Sequence, residues 1–199
     1  MKTNIKSTLL ALAILVPASG AWSVANELLV LQPQSRLWID GTSTIRSFSC
    51  KAGEVNAVVE ANGPNAIPTL LTGDKGVKSV RVTVPAEQMD CGNGTMNEHM
   101  KKALKVTENP TITFDLTDYD VTRNADGIAG TINGTLDLGG VKKPISFKAN
   151  GTSEGGMLHV NGVYELRMTE YGLKPPSLMF GRIKVAETVK VNFDLLLKN

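Results

Sequence analysis

Residues 183–197 read Ile183-Lys184-Val185-Ala186-Glu187-Thr188-Val189-Lys190-Val191-Asn192-Phe193-Asp194-Leu195-Leu196-Leu197. Ile183, Val185, Val189, Val191, Phe193, Leu195 and Leu197 share one parity, with Glu187 the single acid among them. Lys184, Thr188, Lys190, Asn192 and Asp194 share the other. A strand sends successive side chains to opposite faces, so this stretch predicts one long strand over 182–197, dry on one side and wet on the other.

The same period of two recurs upstream. It is carried by Val80, Val82 and Val84, by Ile128, Ile132, Leu136 and Leu138, and by Val141, Ile145, Phe147 and Ala149. Leu158, Val160, Gly162, Tyr164, Leu166 and Met168 repeat it. Ile112, Phe114 and Leu116 open a further strand over 111–122 whose apolar phase slips to Tyr119 and Val121, which predicts a bulge near Thr117-Asp118. A short strand at 36–40 and a long one at 44–61, bent at Gly53, bring the expected number to eight. The joints are short and rich in glycine, at 124–127, Gly139-Gly140 and 153–156. Short joints make sequence neighbours antiparallel, and eight such strands form an up-and-down barrel or a sandwich.

One helix interrupts them. Thr95-Met96-Asn97-Glu98 has the form of a capping box, and Met96, Met100, Ala103 and Leu104 follow at helical spacing until Asn109-Pro110. That stripe packs on the core or, because methionine adapts to irregular apolar shapes, serves as a lid over a cavity. Residues 170–177 break the alternation, and Pro175-Pro176 cannot donate to a ladder. They are read as a mobile rim of the barrel mouth, outside the core.

The N-terminus has the three parts of a secretory signal: basic residues Lys2 and Lys6, the apolar run 7–16 before Pro17, and small residues suited to cleavage after Ala21 or Ala25. Removing residues 1–25 takes two of the 21 basic residues and none of the 19 acidic ones, so the mature chain is net neutral. Neutral, interspersed charge speaks against a nucleic-acid partner. Export leads to a periplasmic location and to a Cys50–Cys91 disulfide between the only two cysteines.

Little in the chain reads as chemistry. It has no phosphate loop, nucleophile elbow or zinc-protease motif, and its two histidines, His99 and His159, have no ligand spacing. His99 beside Lys101 and Lys102 is read as part of a solvated helix face, and His159 lies on the polar side of its strand. No metal, cofactor or catalytic residue is expected. Asn93-Gly94-Thr95, Asn133-Gly134-Thr135 and Asn150-Gly151-Thr152 are read as turns rather than glycosylation sites. Ten aromatic residues are too few for the two girdles of an outer-membrane barrel, and the chain closes on Lys198-Asn199. A barrel with an apolar interior and a wet exterior is preferred.

Several segments in order and spacing resemble the YceI-like family. They are Trp38-Ile39-Asp40-Gly41-Thr42-Ser43, the run from Met96 through Asn109-Pro110-Thr111-Ile112-Thr113-Phe114, Gly134 through Val141-Lys142-Lys143-Pro144-Ile145, and the closing Val185 to Phe193. The resemblance covers roughly residues 35–197 and implies an all-β, eight-stranded antiparallel lipocalin-like barrel at 35–198, with one short helix between strands 3 and 4. It further implies a non-catalytic, polyisoprenoid-binding type of protein. Phe114, Phe147, Tyr164, Val191 and Phe193, with Met96 and Met100 from the helix, are the candidate ligand-binding residues. The expected ligand is a long apolar molecule: an isoprenoid, an isoprenoid quinone or a fatty-acyl amphiphile. Transient membrane contact and a homodimer are the other partners considered. The alternative is a barrel filled by its own side chains, acting in stress response or protein interaction without a lipid.

Overall fold

The computed structural model describes residues 27–199, so the leader and its two cleavage points lie outside the described residues. In chain order the elements are β1 (Leu28–Leu31), β2 (Arg36–Thr42), β3 (Ser47–Ala52), β4 (Asn56–Ala61), α1 (Ala66–Thr72), β5 (Val77–Pro85), β6 (Met89–Asp90) and α2 (Gly94–Leu104). There follow β7 (Thr111–Tyr119), β8 (Thr122–Asn124), β9 (Gly127–Leu138), β10 (Val141–Glu154), β11 (Met157–Arg167), β12 (Ser177–Leu178), β13 (Ile183–Lys184) and β14 (Thr188–Lys198).

Eight of these strands form a closed antiparallel circuit, β1–β4–β5–β7–β9–β10–β11–β14, with β14 pairing back to β1. Closure removes the free edges that an open sheet of these eight strands would carry. The first two staves of the barrel are each broken in two. Toward one end β2 replaces β1 beside β14, and β3 replaces β4. The second break falls where Gly53 was expected to bend the chain: its N–H donates to Gln88 O at 2.8 Å, and a Cβ there would stand 2.9 Å from that oxygen. The bulge in β7 is also present, as a register shift between Leu116 and Asp118. Tight joints hold the long strands in phase. Gly139 and Gly140, with φ of 59° and 80°, turn β9 into β10 in two residues, a twist that a Cβ would resist.

Several expectations are corrected. The barrel begins at Leu28 rather than residue 35: β1 was hidden because Leu28 and Val30 are 51% and 56% exposed while Leu29 is 2% exposed, so both faces are apolar and no alternation shows. A second short helix, α1, lies between β4 and β5 and buries Ala66, Ile67 and Leu70 at the far end of the barrel. The last strand starts at Thr188 rather than 182, because Ile183 belongs to a separate β12–β13 hairpin. The inward phase nevertheless runs unbroken from Ile183 through Leu197, except at Glu187. The helix cap is Asn93, whose side chain accepts from Met96 N at 3.1 Å. Asn97, accepting from Cys91 N at 2.7 Å, draws the helix start back to this point, so Thr95 falls inside the first turn and no capping box forms. Asn133-Gly134 and Asn150-Gly151 lie inside β9 and β10 rather than in turns. Each glycine there makes room for a neighbouring side chain, Phe114 and Ile128 respectively.

The connection at 170–177 differs most from expectation. It begins as a 3-10 turn, Met168–Tyr171, and Tyr171 and Leu173 are only 1% and 2% exposed. Both join the apolar cluster of Leu136, Leu138, Leu166 and Val189. Prolines end the ladder there, but burial of two large side chains makes the segment core rather than rim.

Candidate binding site in an apolar lumen

Inside the circuit lies a cavity of about 580 Å³, lined by side chains from all eight staves. A volume of this size falls within the usual range of small-molecule pockets, roughly 300–1,000 Å³. Its wall is the inward parity of each strand: Val80, Val82 and Val84 on β5, Ile132 and Leu136 on β9, Leu195 and Leu197 on β14. The outward parity carries the exposed Lys142, Lys148 and Lys190. Apolar inside and charged outside is the reverse of a barrel that faces lipid and encloses water. Among the described residues no helix is long and apolar enough to cross a membrane.

Every predicted contact residue sits on this wall. Phe114, Phe147, Tyr164, Val191 and Phe193 line the cavity from β7, β10, β11 and β14, and Met96 and Met100 line it from α2. The rings form one group around Phe147, whose centroid is 5.7 Å from Phe114, 6.0 Å from Tyr164 and 5.5 Å from Phe193. These are edge and tilted contacts of the kind that aromatic quadrupoles favour. Glycines flatten them against the wall: a Cβ on Gly134 would stand 2.2 Å from Phe114 Cε2, and one on Gly162 would stand 2.5 Å from Phe193 Cζ. At the mouth Phe48 lies over Gly41 in the same way, with 2.3 Å to its Cζ. Three absent side chains thus let three rings lie flat, which keeps the lumen open. Phe48 and its glycine were not singled out in the sequence, although the Gly41…Phe48 pair follows from the β2–β3 register.

The two ends differ. At the far end α1 packs against the cluster of Leu29, Val59, Ile128 and Leu158. At the near end α2 lies across the opening, lining it with Met96, His99, Met100, Ala103 and Leu104 while burying none of its residues completely. It covers the opening, and half-buried His99 belongs to the lining rather than to a fully solvated face. The Cys50–Cys91 disulfide is formed and ties β3 to the residues just before the Asn93 cap. Met100 rests on it, with 3.7 Å between its sulfur and Cys91 Sγ.

Polar groups near the cavity are few. Among the described residues the Tyr171 hydroxyl is buried with no partner in hydrogen-bond geometry. Burial first, and then the neighbouring Tyr164 phenol, raise its titration above the ordinary tyrosine range. His159 lies outside on the barrel wall, bonded through Nε2 to Asp194, which also accepts from Arg36 Nη2 at 2.5 Å. Burial opposes the charged form of Asp194, yet the bonds from His159 and Arg36 outweigh it and hold the carboxyl below its ordinary value. Among the described residues no three His, Cys, Asp or Glu side chains come together as a metal site.

A closed antiparallel meander around an apolar lumen defines a lipocalin-like barrel. A YceI-like domain is matched over residues 39–197, and the chain belongs to that family. Among curated sequences it is 29% identical over 103 residues to a UPF0312 protein of Pseudomonas aeruginosa, a match covering 48% of this chain and 52% of that protein. The chain thus spans about half the length of the curated relatives it matches. Among solved structures it resembles BcnA of Burkholderia cenocepacia, with a TM-score of 0.61 at 14% identity, covering 81% of this chain and 95% of that one. A polyisoprenoid binding domain from Saccharophagus degradans gives 0.60 at 13% identity, covering 86% and 97%. The YCEI protein of Campylobacter jejuni gives 0.59 at 15% identity, covering 74% and 82%. At these identities the likeness is one of fold.

Proposed function

We propose that this chain is an exported, non-catalytic carrier or store that holds a long apolar molecule in its barrel: an isoprenoid, an isoprenoid quinone or a fatty-acyl amphiphile. The observation that carries this reading is the open lumen of about 580 Å³ with an almost wholly apolar wall. Water in such a space has few groups to bond, whereas hydrocarbon gains about 0.8 kcal/mol per buried methylene. Ten to fifteen methylenes would contribute roughly 8–12 kcal/mol before ordering costs, which suffices for affinity near micromolar. The polyisoprenoid binding domain among the structural relatives supports the chemical class of ligand. The disulfide suits an oxidising compartment, and with the leader read from residues 1–25 it supports the periplasm. The filled-barrel alternative requires a lumen closed by its own side chains, and an open one counts against it.

The test is organic extraction of the purified protein followed by mass spectrometry, with added ubiquinone and palmitate as probes. An apolar molecule recovered near one per chain, and displaced by a probe, is the expected result. Phe193 borders the lumen, so Phe193→Ala should cost about 2 kcal/mol, below the roughly 3–5 kcal/mol of a fully packed phenylalanine, while weakening retention. No extracted molecule and no probe binding by the parent would overturn the reading.

A further inference from the structure

The near-end rim is built from two segments locked together. Thr44 N–H donates to Lys184 O at 3.0 Å, the Thr44 hydroxyl donates to Arg182 O at 3.0 Å, and Ala186 N–H donates to Thr42 O at 2.9 Å. Ser43 and Val185 pair as an isolated bridge. The β2–β3 turn and the β12–β13 hairpin therefore form one surface. Ile45, Ile183 and Leu178 continue it into the cavity wall.

Three apolar side chains project from this surface into solvent: Ile45 at 66%, Met179 at 64% and Phe180 at 111% exposure. Met179 and Phe180 have φ of 50° and 54°, in the left-handed region that bulky residues avoid. A strained hairpin tip that presents phenylalanine to water gains nothing inside the chain, so its reason lies outside it. Charge supplies the second observation. Residues 41–53 and 171–186 contain no Asp or Glu, in a chain of 21 basic and 19 acidic residues. Arg46, Arg182 and Lys184 are exposed there, and among the described residues none of them forms an ion pair.

We propose that this rim docks on an anionic phospholipid surface, with Phe180 and Met179 entering the acyl boundary and Arg46, Arg182 and Lys184 meeting lipid phosphates. Apolar tips ringed by cations match the layering of a membrane interface, apolar below and anionic above. A second copy of the chain would set like charges against one another. Because the same surface leads into the lumen, docking would give an apolar molecule a path between bilayer and barrel that does not cross water. The proposal goes beyond ligand binding and stands independently of it.

The experiment is flotation of the purified chain with vesicles of phosphatidylcholine alone and with added phosphatidylglycerol, at low and high salt. Binding is expected only to the anionic vesicles and should weaken with salt. Phe180→Ser should lower the bound fraction about tenfold, and Arg182→Glu with Lys184→Glu should lower it by a similar factor. Their melting temperatures and extracted molecule should match the parent, since these side chains support no core. Absence of flotation, equal binding to both vesicle types, or an undiminished Phe180→Ser variant would refute the docking surface. So would a concentration-dependent dimer that disappears in Phe180→Ser, which would assign the patch to a second copy. A failed extraction alone would remove the proposed ligand and leave this result standing.

Discussion

The hydroxyl of Tyr171 is packed with Leu136, Leu138, Leu166 and Leu173, and among the described residues no group stands in hydrogen-bond geometry to it, the Tyr164 phenol being its polar neighbour. An unpaired buried hydroxyl costs about 1–3 kcal/mol, so Tyr171→Phe should stabilise the ligand-free protein by about 1 kcal/mol. For a barrel of this size that is a rise of about 2–4 °C, and thermal denaturation of delipidated protein reads it. A fall instead would mean that the hydroxyl does have a partner. Nothing in the sequence marked Tyr171 as core, because it follows the end of an alternating strand and precedes two prolines. Burial there comes from a 3-10 turn folding back over the barrel end, a tertiary event without a local period. Phe114, Phe147, Tyr164, Val191 and Phe193 were legible for the opposite reason, since each lies on a strand whose parity alone decides which side it faces.

At the scale of the element, glycine and phenylalanine work as cross-strand pairs. All three nearest atoms to a Cβ on Gly41 belong to the Phe48 ring, the closest at 2.3 Å. Gly41→Ala should therefore drive that ring into the mouth, costing about 1–3 kcal/mol and slowing probe uptake, as a stopped-flow ubiquinone titration would show. Unchanged uptake would mean that the ring moves elsewhere. On the outer face Asp194 links β14 to β11 through His159 and to β2 through Arg36. Its folded value lies below the ordinary 3.8, so its contribution is present above the unfolded value and is lost as pH falls through the folded one. Asp194→Asn should cost about 1 kcal/mol at neutral pH, since the Arg36 partner is well exposed, and the gap should close below about pH 4. Melts across that range test the sign. Long strands with one dry face were legible throughout, whereas β1 was masked by exposed leucine and valine, and α1, at seven residues, is too short to show a helical period.

For the molecule as a whole, the disulfide joins the barrel wall to the helix that covers its mouth. The barrel circuit is closed by backbone ladders, but α2 buries no residue completely and touches the body through half-buried side chains at the mouth. Its start is held from two sides: Asn97 accepts from Cys91 N and donates to Asp90 Oδ1 at 2.7 Å, and Cys91 is itself bonded to Cys50 on β3. Removing the bridge frees a loop whose ends are 41 residues apart in sequence. On the chain-entropy account this costs about 4 kcal/mol. The loss should not be confined to global unfolding. Met100 rests on the bridge, so the paired Cys50→Ser and Cys91→Ser changes should also loosen α2 locally, while β9, β10, β11 and β14 keep their ladders. Hydrogen exchange should quicken in residues 94–104 well before it does in β14, and a bound ubiquinone probe should leave faster than from the parent. If destabilisation appeared with probe release unchanged, α2 would be a structural strut and the ligand would exchange by another route. If release quickened while β9, β10, β11 and β14 stayed protected, the mouth under α2 would be the gate.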